Sequence, residues 1–295
     1  MTATSASGLT ATSAPGLAGA GLPAGATEPK SRLQVLFDTA KAEDRGVLVG
    51  CMPAGFPTVD RGIESMRTMV DAGADIIEVE LAYSDPVMDG PVIQRASEIA
   101  LSGGVRTADM MRSVEAVASA GATVILMTYW APIERYGVAR FARDFAAAGG
   151  AGLVTPDLIP DEAAEWIAAS DEHHLDRIFL VAPSSTDTRI ASTVEACRGF
   201  VYATSVMGVT GAREQTSDAA PALVERVRSA GTIPVGVGLG VRDGSQAAAV
   251  AGYADAVIVG SALVSCVLDH LDDAAAGRDA LTRLTGDLAE GVRRR

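Results

Sequence analysis

The chain is expected to fold as a single α/β domain, a (β/α)8 TIM barrel with one extra N-terminal helix, and three observations lead there. Short β-branched runs recur eight times, each followed by a longer Ala/Arg/Glu-rich stretch of helical period. Most of those runs are apolar on both faces, as parallel strands flanked by helices should be. With 295 residues, 48% of them hydrophobic, the chain has the apolar content for two average domains or one large barrel, and eight βα units favour the barrel.

The elements follow in order. Residues 1–27 carry no charged side chain and are dominated by Ala, Gly, Ser, Thr and Pro. They lack the basic start and the uninterrupted apolar stretch of a signal peptide, so a disordered extension is expected over residues 1–30, with the barrel over 31–295. The extra helix is predicted at Ser31 to Lys41. The eight strands are predicted at Val47 to Met52, Asp75 to Leu81, Thr123 to Tyr129, Gly152 to Thr155, Arg177 to Val181, Phe200 to Ser205, Pro234 to Gly240 and Ala256 to Gly260. A doubly wound sheet is the alternative, but it needs a glycine fingerprint near its first strand. The cluster Gly236-Val-Gly238-Leu-Gly240 lies at the seventh run and lacks the full spacing. Asp, Glu, Arg or Gly interrupts every apolar run short of the ~18 residues that cross a bilayer, so no membrane segment is expected.

Charge and side-chain inventory exclude several functions. Against 37 Asp and Glu stand 24 Lys and Arg, and the net charge of −13 repels phosphate backbones, which argues against nucleic acid as a partner. Cys51, Cys197 and Cys266 are too few and too scattered for a disulfide framework, a pattern that fits a reducing cytoplasm. Lys30 and Lys41 are the only lysines and both precede the first strand, so no Schiff-base lysine lies in the barrel mouth. His173 and His174 fall between a helix and strand five, and His270 lies beyond strand eight, which suits helix-end residues better than metal ligands.

Carboxylate is what remains at the strand ends, where barrels place their reactive groups. In Asp75-Ile-Ile-Glu78-Val-Glu80-Leu-Ala82 a period of two puts Ile76, Glu78, Glu80 and Ala82 on one face and Ile77, Val79 and Leu81 on the other. The second set suits the helix layer, so Glu78 and Glu80 are expected to point into the barrel, where charge is costly unless it serves chemistry. Standing about 7 Å apart on one face, they are expected to raise each other's pKa, with Glu80 either turning aside to an arginine or water or narrowing the pocket. The following loop carries Asp85 and Asp89 over the mouth.

Glycines after strands six, seven and eight suggest an anion site. Gly208 to Gly211, Gly238 and Gly240, and Gly260-Ser261 at a helix start allow backbone N–H groups to approach a phosphate. Carboxylates on one side and a phosphate grip on the other point to carbon–carbon or proton chemistry on a phosphorylated metabolite, with no cofactor and no metal.

Five segments carry a resemblance. Met52-Pro-Ala-Gly-Phe-Pro57, Tyr83-Ser-Asp-Pro-Val-Met-Asp-Gly-Pro91, Leu126-Met-Thr-Tyr-Trp130, Gly208-Val-Thr-Gly211 and Val259-Gly-Ser-Ala-Leu263 are similar to motifs of the tryptophan synthase α-subunit family, over roughly Ser31 to Leu268. The second and fourth, in this order, are specific. The resemblance implies a lyase that cleaves indole-3-glycerol phosphate to indole and glyceraldehyde 3-phosphate and passes indole to a PLP-bearing β subunit. It implies Glu78 as the acid/base and Asp89 as the group that holds the indole N–H. Tyr202 matches the tyrosine beside the catalytic Glu, and Thr210 the loop threonine that meets the Asp. Gly211, Gly240, Gly260 and Ser261 match the phosphate cradle, and Tyr129 belongs to the tyrosine segment of the substrate pocket.

Four positions depart from the family pattern. Cys51 stands in place of an aromatic residue at the indole pocket and Glu80 in place of a glycine, and both bear on substrate preference. Ala82 replaces a proline and Ala131 an asparagine on segments that face the β subunit in the family. The alternatives are a diverged lyase for a related aryl glycerol phosphate, or a non-catalytic partner of a β subunit.

Overall fold

The computed structural model describes residues 30–204, 219–238 and 240–294, so the extension expected over residues 1–30 lies almost wholly outside the described residues. From Ser31 onward the chain is one compact unit. It opens with α1 (Arg32–Ala42), whose start is fixed by a reciprocal cap: the Gln34 N–H donates to Ser31 Oγ and the Ser31 N–H to Gln34 Oε1.

Then come β1 (Val47–Pro53), α2 (Val59–Asp71), β2 (Ile76–Glu80), α3 (Pro91–Ser102), α4 (Thr107–Ala118), β3 (Thr123–Met127), α5 (Trp130–Tyr136), α6 (Val138–Ala147) and β4 (Gly152–Thr155). The second half holds α7 (Ala164–Glu172), β5 (Asp176–Val181), α8 (Asp187–Ala196), β6 (Val201–Thr204), α9 (Ala219–Ala230), β7 (Val235–Gly238), α10 (Gly244–Ala251), β8 (Ala256–Val259), α11 (Ser261–Leu268) and α12 (Ala274–Val292). All eight predicted strands are present within one or two residues of their expected ends. The helix layer is richer than expected. A pair of helices follows β2, another follows β3, and α12 closes the chain after α11.

Every strand is parallel to its neighbours, and β1 pairs with both β2 and β8, so the sheet is a closed barrel. Alternation along each strand sorts the core into two layers. Val47, Val49, Cys51, Ile76, Ile125, Val154, Ile178, Phe200, Ala256 and Ile258 fill the barrel interior. Leu48, Met52, Ile77, Val79, Val124, Leu126, Val201, Val237 and Val257 pack outward against the helices. Helix α1 joins the interior set through Leu33, Phe37 and Ala40, and the Phe37 and Phe200 rings meet at 5.7 Å between centroids. This plug closes the amino-terminal end of the barrel and leaves the carboxyl end as the open mouth.

Polar groups at two strand starts are held by partners. Asp75 ties the α2–β2 turn to the first strand, accepting from Arg45 Nη1 at 2.9 Å and from the Leu48 N–H at 2.8 Å. Arg177 faces the helix layer and donates from Nη1 to Ser170 Oγ at 2.9 Å and from Nε to the Ala196 carbonyl at 3.1 Å.

Candidate active site

The inward face of β2 carries Glu78 and Glu80, as the period of two requires. The register aligns Glu78 with Cys51 on β1 and Ile125 on β3, and Glu80 with Pro53 and Met127. Glu78 is 2% exposed. The Cys51 thiol donates to Glu78 Oε1 at 3.0 Å, and Oε2 has no protein partner. Burial pushes the Glu78 carboxyl from an ordinary 4.5 up to about 7, against the opposing pull of the Cys51 hydrogen bond. An acid with that pKa is half protonated at neutrality, which suits a group that must both give and take a proton. Burial, with Glu78 and Glu80 adding to it, lifts the Cys51 thiol well above the ordinary range, so it remains a protonated donor rather than a nucleophile.

Asp89 reaches the same space from the loop between β2 and α3. It is 4% exposed, one residue before Gly90 caps α3 and Pro91 opens it. Tyr129, at the end of the β3 segment, receives the N–H groups of Val87 and Met88 on its hydroxyl, each at 3.1 Å, and donates to Asp89 Oδ1 at 2.8 Å. Gln94 Nε2 fixes the Asp89 carbonyl at 2.8 Å, and the Tyr83 ring lies 5.1 Å from that of Tyr129. Burial raises the Asp89 carboxyl, while the hydrogen bond from Tyr129 and the neighbouring Glu80 pull it back.

Glu80 is 8% exposed and stands beside the Asp89 carboxyl, whose charge acts on it. Of the two outcomes expected for Glu80, the turn to an arginine is corrected: among the described residues no cation acts on it, and the loop brings Asp89 back over β2 beside it. Its pKa is raised well above the usual carboxylate range, first by burial, then by the Asp89 charge and then by Glu78. For Glu78 the cause of the rise is burial, not the neighbouring Glu80.

The opposite wall comes from β6 and β7. Tyr202 belongs to the inward set of β6, with its phenol raised by burial and by the Glu78, Cys51 and Glu80 charges. Its hydroxyl occupies the space over β7 where a side chain on Gly238 would stand, 2.7 Å from the Cβ position, so a side chain there would displace the phenol. Gly240 follows at a φ of +70°, a conformation that favours glycine. Gly260 caps α11 with no side-chain hydrogen bond and sits beside Cys51, its Cβ position 3.9 Å from the thiol sulfur; Ser261 begins the helix. Thr210 and Gly211 lie outside the described residues.

Cys51, Glu78, Glu80, Asp89, Tyr129 and Tyr202 thus share the mouth, with Gly240, Gly260 and Ser261 at the carboxyl ends of β7 and β8. Among the described residues no cluster of His, Cys, Asp and Glu could hold a metal ion. His173 ends α7, and His270 lies just past α11 with Nδ1 3.0 Å from the Cys266 carbonyl. Gln94 escaped the sequence reading because a glutamine on a helix's first turn carries no periodic signal. Of the two departures on the outer segments, Ala82 is buried in the helix-facing core and Ala131 is exposed on α5.

A closed parallel barrel whose mouth gathers buried carboxyls of raised pKa defines the (β/α)8 class of enzyme. The model of the tryptophan synthase alpha chain family matches residues 37–293. The chain is 67% identical over 263 residues to the tryptophan synthase alpha chain of Salinispora arenicola, covering 89% of this chain and 98% of that one. It is 59% identical to that of Mycobacterium tuberculosis, covering 89% and 95%. A structure of M. tuberculosis tryptophan synthase superposes with a TM-score of 0.85 at 58% identity, over 90% of this chain and 99% of that one. The alpha subunit from Legionella pneumophila gives 0.82 at 28% identity, over 90% and 99%. The chain belongs to the tryptophan synthase alpha chain family. It is a carbon–carbon lyase of tryptophan biosynthesis, of the type that cleaves indole-3-glycerol phosphate to indole and glyceraldehyde 3-phosphate.

Proposed function

We propose that Glu78 and Asp89 carry this cleavage between them, and that the buried, half-protonated Glu78 beneath the mouth is the observation that supports it best. Glu78 in its acid form protonates C3 of the indole ring, giving the indolenine tautomer. The positive charge that develops on the ring nitrogen is stabilised by the Asp89 carboxylate, which accepts the N–H. The Glu78 carboxylate, regenerated by that transfer, then takes the proton of the glycerol hydroxyl as the carbon–carbon bond breaks. The bonding pair returns to the indole ring, and the aldehyde leaves as glyceraldehyde 3-phosphate. One group gives and recovers one proton, so no external acid is consumed.

The phosphate end is assigned to the backbone N–H groups of Gly211, Gly240, Gly260 and Ser261. The first turn of α11 has N–H groups with no partner inside the helix, and the helix dipole favours an anion there. Tyr202 lies against the reacting carbons beside Glu78, and Cys51 and Glu80 line the indole side.

A β subunit is the partner this reading assigns, because the alpha chains to which the sequence is similar are subunits of tryptophan synthase. Among the described residues no helix is long and apolar enough to cross a membrane, and three unpaired cysteines fit the cytoplasm. A second reading, a related aryl glycerol phosphate as substrate, draws on Cys51 and Glu80 in the wall. Incubating the purified chain with indole-3-glycerol phosphate and with a ring-substituted analogue, and following release of the indole, tests both. Absence of indole release from both substrates would overturn the lyase assignment, and strong preference for the analogue would favour the second reading.

A further inference from the structure

Two neighbouring inward positions on β1 and β2 decide how the Glu78 carboxyl is presented. Cys51 and Glu78 are register partners on adjacent parallel strands, and Cys51 belongs to the set that fills the barrel interior. Paired strands lie about 4.8 Å apart, so a short thiol and a longer carboxylate at one level meet side by side. The thiol donates to Oε1 at 3.0 Å, and Oε2 is buried with no protein partner. The two oxygens are therefore not equivalent. A buried oxygen left without a donor is costly to the fold, and here it is the one left free to meet a substrate.

We propose that Cys51 is a positioning residue: its thiol holds Oε1 of Glu78, so that Oε2 is the oxygen that gives its proton to the substrate and takes one back. This role rests on the acid/base reading of Glu78. The choice of a thiol suits the task. A glutamate side chain turns about three bonds and loses that freedom only where something grips it. An arginine or lysine would grip it, but would also hold the carboxyl ionised, with no acid form left to protonate indole C3. A thiol is a weak, uncharged donor, so it orients the carboxyl and leaves burial to keep the pKa near neutrality. Burial and the Glu78 and Glu80 charges keep the thiol itself protonated.

The titratable groups that face Glu78 are Cys51 on β1, Glu80 on its own strand with Asp89 beyond it, and Tyr202 on β6, while its register partner on β3 is Ile125. Among the described residues no cation acts on Glu78, and no second side chain hydrogen-bonds it. A donor stabilises the carboxylate more than the acid, so the thiol pulls the Glu78 pKa down against burial, and its loss should let that pKa rise. The first step uses the acid form of Glu78. Its ionisation therefore sets the alkaline limb of kcat/KM, which should move up when the donor is removed.

The experiment compares full-length wild type with Cys51→Ala and Cys51→Ser, which differ from each other only in a hydroxyl donor. With indole-3-glycerol phosphate, Cys51→Ala is expected to move the alkaline limb of kcat/KM up by about half a pH unit or more, the scale of one hydrogen bond to a carboxylate. Its kcat should fall roughly 10-fold with a smaller change in KM, because the pocket keeps its walls while Oε2 is no longer aimed. Cys51→Ser should return both toward wild type. An unmoved limb in Cys51→Ala, or like behaviour of the two variants, would overturn the proposal. The S–H stretching bands of the wild type, read by infrared spectroscopy, depend neither on turnover nor on how a variant folds. The Cys197 and Cys266 thiols donate to the backbone carbonyls of Phe179 and Ala262, which do not titrate, whereas the acceptor of Cys51 changes from acid to carboxylate. One S–H band should therefore move to lower frequency as pH rises through about 7, and stay still in Glu78→Gln. Bands that keep their frequencies from about pH 5 to about pH 9 would also overturn the proposal. A moving band in a chain that releases no indole would leave the thiol–carboxylate contact standing and overturn the acid/base reading on which the positioning role rests.

Discussion

Replacing Glu78 by glutamine should make the protein more stable as it makes it less active. The Glu78 carboxyl titrates at about 7 in the folded chain against about 4.5 when solvated, because burial opposes its charge. A pKa raised in the folded state means that the folded chain binds a proton more tightly than the unfolded one. The stabilising contribution is thus fully present below pH 4.5 and is lost as pH rises through 7. The rise corresponds to roughly 3 kcal/mol, at 1.36 kcal/mol per pH unit, and between pH 5 and 8 roughly 2 to 3 kcal/mol of it should disappear. Burial at 2% exposure places the group beyond solvent screening, so the figure stands as an order of magnitude without discount. Glutamine has the same shape and no charge at any pH. The stability difference between Glu78→Gln and wild type, measured by urea unfolding, should therefore move in favour of the variant by about that amount from pH 5 to pH 8. A difference independent of pH would refute the argument that the acid/base carboxyl is held charged at a cost to the fold.

Three further outcomes follow from the site. Glu78→Gln and Asp89→Asn should each lower the rate of indole release by at least about 100-fold, the usual effect of removing a positioned acid or base, and near-native turnover in both would refute the assignment. Tyr129→Phe removes the hydroxyl that anchors Val87, Met88 and Asp89, so kcat/KM should drop by roughly 10-fold or more; a steady-state assay that finds no change would show the loop is held by other contacts. Gly240→Val should raise KM more than it lowers kcat, both because the φ of +70° strains any side chain and because the N–H would be displaced from the phosphate, and inorganic phosphate should compete with substrate. An unchanged KM would locate the phosphate elsewhere.

The barrel was legible because its signals are local and periodic. A strand whose alternate residues are both apolar is recognisable from composition, and the inward placement of Glu78 and Glu80 follows from counting by twos from Ile76. The paired helices after β2 and β3 were harder to see. Their apolar period runs on across short breaks, and it is Gly104 at φ +80° and Gly137 at φ +94° that turn the chain between the two members. The placing of Asp89 beside Glu80 was not legible at all. It depends on the path of a ten-residue stretch from Leu81 to Gly90, which the Tyr129 hydroxyl shapes by binding two backbone N–H groups, and no spacing rule encodes such a contact. Thr210, which the family resemblance alone brought to the site, and Gly211, which the glycine pattern also suggested, lie outside the described residues.

The pairing of β1 with β8 has a consequence for how the molecule is made. The hydrogen-bonding edge of Val47 to Gly50 finds its partner only in Ala256 to Val259, near the other end of the chain. Until the ribosome has released that last strand, the sheet is a ribbon with two raw edges, each able to recruit a strand from another nascent chain. A fragment that stops before Ala256 is therefore expected to sediment as aggregates, whereas the full chain, its ring joined, offers no template for such growth. Recovery of that fragment as a soluble monomer would show that the helices, rather than the joining of the ring, protect the edge.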